Sequence, residues 1–186
     1  MKKGCDFVNE LKFEICQVHA GWFVCLIGDV EIWASYINMH DSPRQLLKLL
    51  GELMSGEREK GTVVFDEEPG CYILTVQRGE RSSISLEFTE RDFLDFYPEY
   101  PDGAAVLPER PGSAGDAEAL LLVDDLDLYQ FACAVGDAFS AYFTADMREQ
   151  YAKHWMSFPL EELVELRHAL GDYSCDRYHF IRAIDR

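Results

Sequence analysis

The sequence predicts an α+β domain built on one antiparallel β-sheet of about six to seven strands, with helices packed on one face. Three observations carry the prediction. The stretch 66–88, Asp-Glu-Glu-Pro-Gly-Cys-Tyr-Ile-Leu-Thr-Val-Gln-Arg-Gly-Glu-Arg-Ser-Ser-Ile-Ser-Leu-Glu-Phe, reads as turn, strand, turn, strand. The element order, β-β-β-α-β-β-β, a loop, then β-α-α, lacks the regular strand–helix alternation of a doubly wound parallel sheet. The helical segments carry apolar residues along one stripe only, so each needs a face to pack on.

Residues 12–18 and 22–27 read as strands around Ala20-Gly21, and 30–36 as a third after Gly28-Asp29. Gly at the first central position of the second turn suits a type II′ hairpin. Trp22, Val24 and Leu26 share one side of the middle strand and Phe23, Cys25 and Ile27 the other. A strand apolar on both sides belongs in the centre of a sheet. Asp41-Ser42-Pro43-Arg44-Gln45 opens a helix: Ser42 caps, Pro43 suits the first turn and Gln45 completes a capping box. Leu46, Leu47, Leu50, Leu53 and Met54 recur at helical spacing, and Gly56 is placed to end the helix in a left-handed conformation.

Residues 62–65, 71–78 and 82–88 read as three further strands. In them Tyr72, Leu74 and Val76 point one way, with Ile84, Leu86 and Phe88, and Ser83, Ser85 and Glu87 point to the wet side. The segment 97–117 holds Pro98, Pro101, Pro108 and Pro111 with Gly103, Gly112 and Gly115, which excludes regular structure over much of it and predicts a long mobile loop. Residues 118–123 add a short strand. Asp124 or Asp125 then caps a helix running to about Phe143, with Leu128, Phe131, Ala132, Val135, Phe139, Tyr142 and Phe143 as its stripe. Residues 146–155 continue as helix, and Pro159 opens another with Leu160, Leu163, Val164 and Leu170, stopped by Gly171.

A chain of 186 residues, 48% hydrophobic, has the size of a single domain, 1–186, with its own core. Lys2 and Lys3 are followed by Asp6, Asn9 and Glu10 rather than an apolar run, which predicts no secretory signal. The apolar runs are shorter than the roughly 20 residues of a membrane-spanning helix. A cytoplasmic protein is the expectation. Cys5, Cys16, Cys25, Cys71, Cys133 and Cys175 form no Cys-x-x-Cys pair and read as free thiols, with Cys16, Cys25, Cys71 and Cys133 inside apolar runs as small hydrophobes. The net charge of −17, from 34 acidic and 17 basic residues, repels nucleic-acid phosphate and anionic lipid, so neither is an expected partner. It either keeps the chain solvated or attracts a basic protein.

At three places the chain resembles a family of small, acidic bacterial proteins, some of them immunity partners of secreted toxins. The matching residues are Trp33-Ala34-Ser35-Tyr36-Ile37 leading into Leu46-Leu47-Lys48-Leu49-Leu50, then Phe65-Asp66-Glu67-Glu68-Pro69-Gly70-Cys71-Tyr72, then Tyr151-Ala152-Lys153-His154-Trp155 before Phe158-Pro159. The resemblance implies a fold and an immunity-type role, and no catalytic residue.

No chemistry-bearing motif stands out from the residues themselves. Cys16 and His19 lie three apart on a strand and so point to opposite faces. Asp66-Glu67-Glu68 and Asp124-Asp125-Leu126-Asp127 match no metal loop, and helix capping accounts for the second group. No catalytic residue, cofactor or metal is predicted. The candidate partner-binding residues are Glu67 and Glu68, which also suit a hydrated turn tip, and the aromatics Tyr97 and Tyr100, with Trp155 beside them. The expected function is a non-enzymatic binding module whose acidic surface engages a basic protein. The alternatives are a small-molecule-binding protein or enzyme that uses 97–117 as a lid, and a self-associating structural subunit.

Overall fold

The computed structural model describes residues 11–36, 40–91, 106–107, 109–112, 115–142 and 144–172. The α+β class is as the sequence predicts, but the strands form two antiparallel sheets instead of one. Strands β1 (Phe13–His19), β2 (Trp22–Ile27) and β3 (Val30–Ser35) make a three-stranded sheet in that order. Strands β4 (Lys60–Asp66), β5 (Cys71–Gln77), β6 (Ser82–Thr89) and β7 (Glu118–Leu126) make a four-stranded one.

The sheets do not merge because the outer edge of β4 is already occupied. Thr62 and Leu107 exchange backbone hydrogen bonds, N–H to carbonyl, at 2.8 and 3.0 Å. Two residues on, the Val64 carbonyl accepts from His40 Nε2 at 2.7 Å and from the Ser42 hydroxyl at 2.8 Å. A strand edge whose polar groups are bonded has nothing left to offer a neighbouring strand. The predicted loop is thereby part of the core where it is described: Val106 and Leu107 are buried, and Leu107 packs with Val64, Cys71 and Ile73.

Helix α1 (Ser42–Ser55) starts differently from the predicted capping box. Asp41 is the cap, its carboxylate accepting from the Arg44 amide at 3.3 Å. Ser42 is spent on Val64, and Gln45 Nε2 turns to His40 Nδ1 at 3.3 Å, so the box does not form. Since the Val64 carbonyl can only accept, His40 carries its proton on Nε2 and receives on Nδ1. The end of the helix is as predicted, with Gly56 left-handed at φ 85°. Leu46, Leu47, Leu50 and Leu53 are fully buried, and truncating any one to alanine removes about 2–5 kcal/mol.

Strand β7 runs to Leu126, so Asp124 pairs with Ser83 in the ladder and Asp125 occupies an irregularity at φ 58°. Asp127 therefore caps α2 (Leu128–Ser140), accepting from the Gln130 amide at 3.0 Å, in place of Asp124 or Asp125. The predicted α2 stripe is buried at Leu128, Phe131, Ala132, Val135 and Phe139. Helix α3 (Ala145–His154) starts afresh at a Thr144 cap, and α4 (Leu160–Ala169) follows Pro159 and ends before Gly171 at φ 79°. The main core lies where the inner faces of both sheets meet α1, α2 and α4; in it Phe139 stacks on Phe13 and Phe23 at 6.3 and 6.0 Å. No helix among the described residues is long and apolar enough to cross a membrane.

Candidate interaction face

Strand β2 lies between β1 and β3, as its two-sided apolar pattern requires. Its inner side, Phe23, Cys25 and Ile27, is buried with Ile32 and Ala34 of β3. The outer side faces solvent and is built in register. His19, Trp22 and Ser35 form one row, Gln17, Val24 and Trp33 the next, and Glu14, Leu26 and Glu31 a third.

The two indoles hold this face together. Trp22 and Trp33 meet edge to face, 5.9 Å between centroids at 72°, the diagonal arrangement that long side chains reach across antiparallel strands. Val24, between them, is only 2% exposed although it points outward, because the indoles cover it. Trp33 itself is 37% exposed, and its Nε1 donates to Glu31 Oε1 at 2.8 Å. That bond fixes the indole plane and places a carboxylate beside it.

The negative field of the face extends to the β4–β5 turn. Glu67 is half-buried and accepts from the Tyr72 hydroxyl. Burial, then the Glu67 and Glu31 carboxylates, push Tyr72 up to about 12. Glu31 also acts with Glu14 on Cys16, whose thiol is raised by burial first and then by these two charges. Glu14 and Glu31 share one row of the face and Glu31 and Glu67 both act on Tyr72, while Glu68 stands exposed at the turn tip with φ 44°. Cys16 is exposed, contrary to the expectation of a packed thiol, because the register shift between Ile15 and Gln17 leaves it unpaired in the ladder.

One end of the face is anchored by the α3 terminus. In the β1–β2 turn Ala20 and Gly21 are both left-handed, at φ 52° and 86°, which suits a type I′ hairpin. The Gly21 amide donates to the His154 carbonyl at 2.8 Å and the Ala20 amide to His154 Nδ1 at 3.4 Å, while the His19 and His154 rings lie 4.7 Å apart. Tyr36, 44% exposed, lies over Gly21 and against Trp155.

Trp155 is not a surface anchor. It is buried and donates from Nε1 to Asp41 Oδ1 at 3.2 Å, inside a clamp that joins α1 to α4. Arg44 completes the clamp, donating from Nε to Asp41 at 2.9 Å, from Nη1 to both Glu162 oxygens at 2.6 and 2.7 Å, and from Nη2 to Ser157. Burial raises Asp41, and the Trp155 and Arg44 donors oppose it.

Of the predicted partner-binding residues, Glu67 lies beside the face through Tyr72 and Glu31, and Glu68 at the adjoining turn tip. Tyr97 and Tyr100 lie outside the described residues. From sequence Trp22 reads as buried, because β2 is apolar on both sides, and Trp33 enters only through the resemblance. The signal that separates the two sides is in β1 and β3, where Glu14, Gln17, His19 and Glu31 occupy the outer positions. Compared with protein-family models, curated proteins and solved structures, the chain matches none.

Proposed function

We propose that the chain is a non-enzymatic protein-binding module that takes a basic protein partner on the tryptophan-and-carboxylate face of the three-stranded sheet. The observation that carries the reading is the Trp22–Trp33 pair, with Trp33 exposed and Glu31 hydrogen-bonded to its indole. Trp dominates binding hot spots, and an indole plane next to a carboxylate suits an arginine or lysine, which stacks on the ring and pairs with the charge. The excess of 34 acidic over 17 basic residues steers such a partner into encounter and disfavours acidic competitors. An immunity-type role, in which the partner is a secreted toxin, fits this chemistry and the three-site sequence resemblance.

The test is capture of partners from the lysate of the native host on immobilised wild-type, Trp33→Ala and Glu31→Gln chains at low and high salt, with mass spectrometry of what is retained. The expected result is a basic protein held by wild type, released at high salt and lost from Trp33→Ala. Retention unchanged by Trp33→Ala, or no protein captured at low salt, overturns the reading.

A further inference from the structure

We infer that the open edge of β1 is a second binding site, which takes an extended basic segment of a partner as an added strand. This goes beyond the tryptophan face, since the edge and the outer face of the sheet are different surfaces. Strand β1 ends the order β1-β2-β3, and among the described residues no other strand pairs with its far side. The Gly28 amide donates to the Lys12 carbonyl at 2.9 Å, which sets the phase of the ladder. Antiparallel alternation then turns the N–H and C=O of Phe13 and Ile15 away from β2, toward the open side.

A groove of about 520 Å³ runs along this side, between β1 and the flanks of α2 and α3. Its apolar walls include Ile15, Ala138, Tyr142 and Met147, and Met147 is 39% exposed. Glu14 and Asp137 are its charged residues, and the lining holds no cation. Asp137 is 69% exposed and fixed by Arg167 Nη2 at 2.6 Å, so it stays at the rim. A segment added to β1 presents alternate side chains to the groove and to solvent. Apolar residues on one side meet Tyr142 and Met147, and lysine or arginine on the other meets Glu14, since Asp137 is already paired with Arg167. Charge complementarity selects the basic segment: an acidic strand, or a second copy of this chain with its net charge of −17, is repelled.

The test titrates the full chain with three ten-residue peptides: one alternating valine and arginine, one of the same composition in two blocks, and the alternating peptide N-methylated at every second residue. The expected result is binding of the first at least about tenfold tighter than of the other two, a margin removed by Met147→Lys, which puts a cation in the groove, and kept in Trp33→Ala, which removes only the binding that all three arginine peptides share. Equal binding of the N-methylated peptide, indifference to Met147→Lys, or no binding at all overturns the inference. Loss of the margin with Trp33→Ala instead assigns the peptide to the sheet face, which overturns this site and leaves the proposed function standing. A concentration-dependent dimer abolished by Met147→Lys assigns the groove to a second copy and overturns it likewise.

Discussion

Replacing Arg44 with methionine tests the clamp that fixes α1, α4 and the Trp155 end of the face. Arg44, Glu162 and Asp41 side chains are 23%, 16% and 7% exposed, so the substitution leaves two carboxylates with little water to replace the guanidinium. Removing one partner of a fully buried ion pair costs about 3–5 kcal/mol. Glu162 and Arg44 keep some solvent, and Asp41 keeps the Trp155 indole and the residue 44 amide, so the lower end, about 3 kcal/mol, is expected. For a chain of this size that is a fall in Tm of about 6–12 °C. The deficit also depends on pH. Burial already raises Asp41 against the pull of Trp155 and Arg44, and loss of the cation raises it further. A carboxyl raised in the folded state favours folding while protonated and loses that advantage as pH climbs through its folded value. The deficit is therefore largest at pH 7.5 and smaller at pH 5.5. Urea unfolding followed by tryptophan fluorescence at both pH values, with Glu162→Gln and the double variant closing a cycle, measures it. A loss below about 1 kcal/mol at pH 7.5, or one that does not shrink at pH 5.5, refutes the reasoning, because the groups are then solvated.

Gly70→Ala places a Cβ 2.6 Å from the Thr89 carbonyl and 2.8 Å from the Phe88 ring, so a loss of about 2 kcal/mol is expected in urea unfolding, against no change for Gly112→Ala, which meets nothing within 4 Å. In a background lacking Cys5 and Cys175, a thiol reagent labels Cys16 first and Cys25 and Cys71 only on unfolding; Glu14→Gln or Glu31→Gln speeds Cys16 labelling by removing a charge that raises its thiol. Glu165 is raised by burial first and then by Glu161 and Glu162, so it and Asp41 both bind protons more tightly folded than unfolded. Both contributions favour folding at acid pH and fade as pH rises, so Tm at pH 5.5 should be no lower than at 7.5, and Glu165→Gln should narrow the difference; a melt that falls steadily on acidification contradicts this.

The parts of the fold legible in the sequence are those decided within about ten residues. The strands at 71–77 and 82–89, the leucine stripe of α1 and the left-handed Gly56 are set by local pattern and backbone freedom, and each is observed. The side of β5 opposite Leu74 and Val76 is not wet throughout, however, since Cys71 and Ile73 are buried there with Val64 and Leu107. The division into two sheets was not legible, because it depends on His40, Ser42 and Leu107 reaching the β4 edge from distant parts of the chain. The same contacts withdrew Ser42 and Gln45 from the predicted capping box. Asp124, Asp125 and Asp127 are equivalent as caps by residue type, and only the ladder to Ser82 and Ser83 reveals which one remains free to serve. The turn at Glu67 and Glu68 was legible from Pro69-Gly70, and the structure places Glu67 where it and Glu31 both act on Tyr72. The tryptophan pair was not legible, since hydrophobicity alone does not distinguish an indole that covers Val24 from one that is itself covered.

The two sheets treat their edges in opposite ways, and the contrast bears on what the acidic surface does. Along β4 the edge groups are bonded internally, and Thr62, Val64 and Asp66 are buried. At β1 the edge carries Glu14, and an irregularity follows at Cys16, both devices that discourage pairing with another copy of the same chain. A carboxylate repels an identical strand, whose own Glu14 arrives with it, yet attracts a cationic one. The charge that discourages self-association at β1 is thus the charge that would draw the basic segment inferred above. Among the described residues the β1 edge lacks the backbone bonding that closes the β4 edge, and Glu14 is what stands there instead.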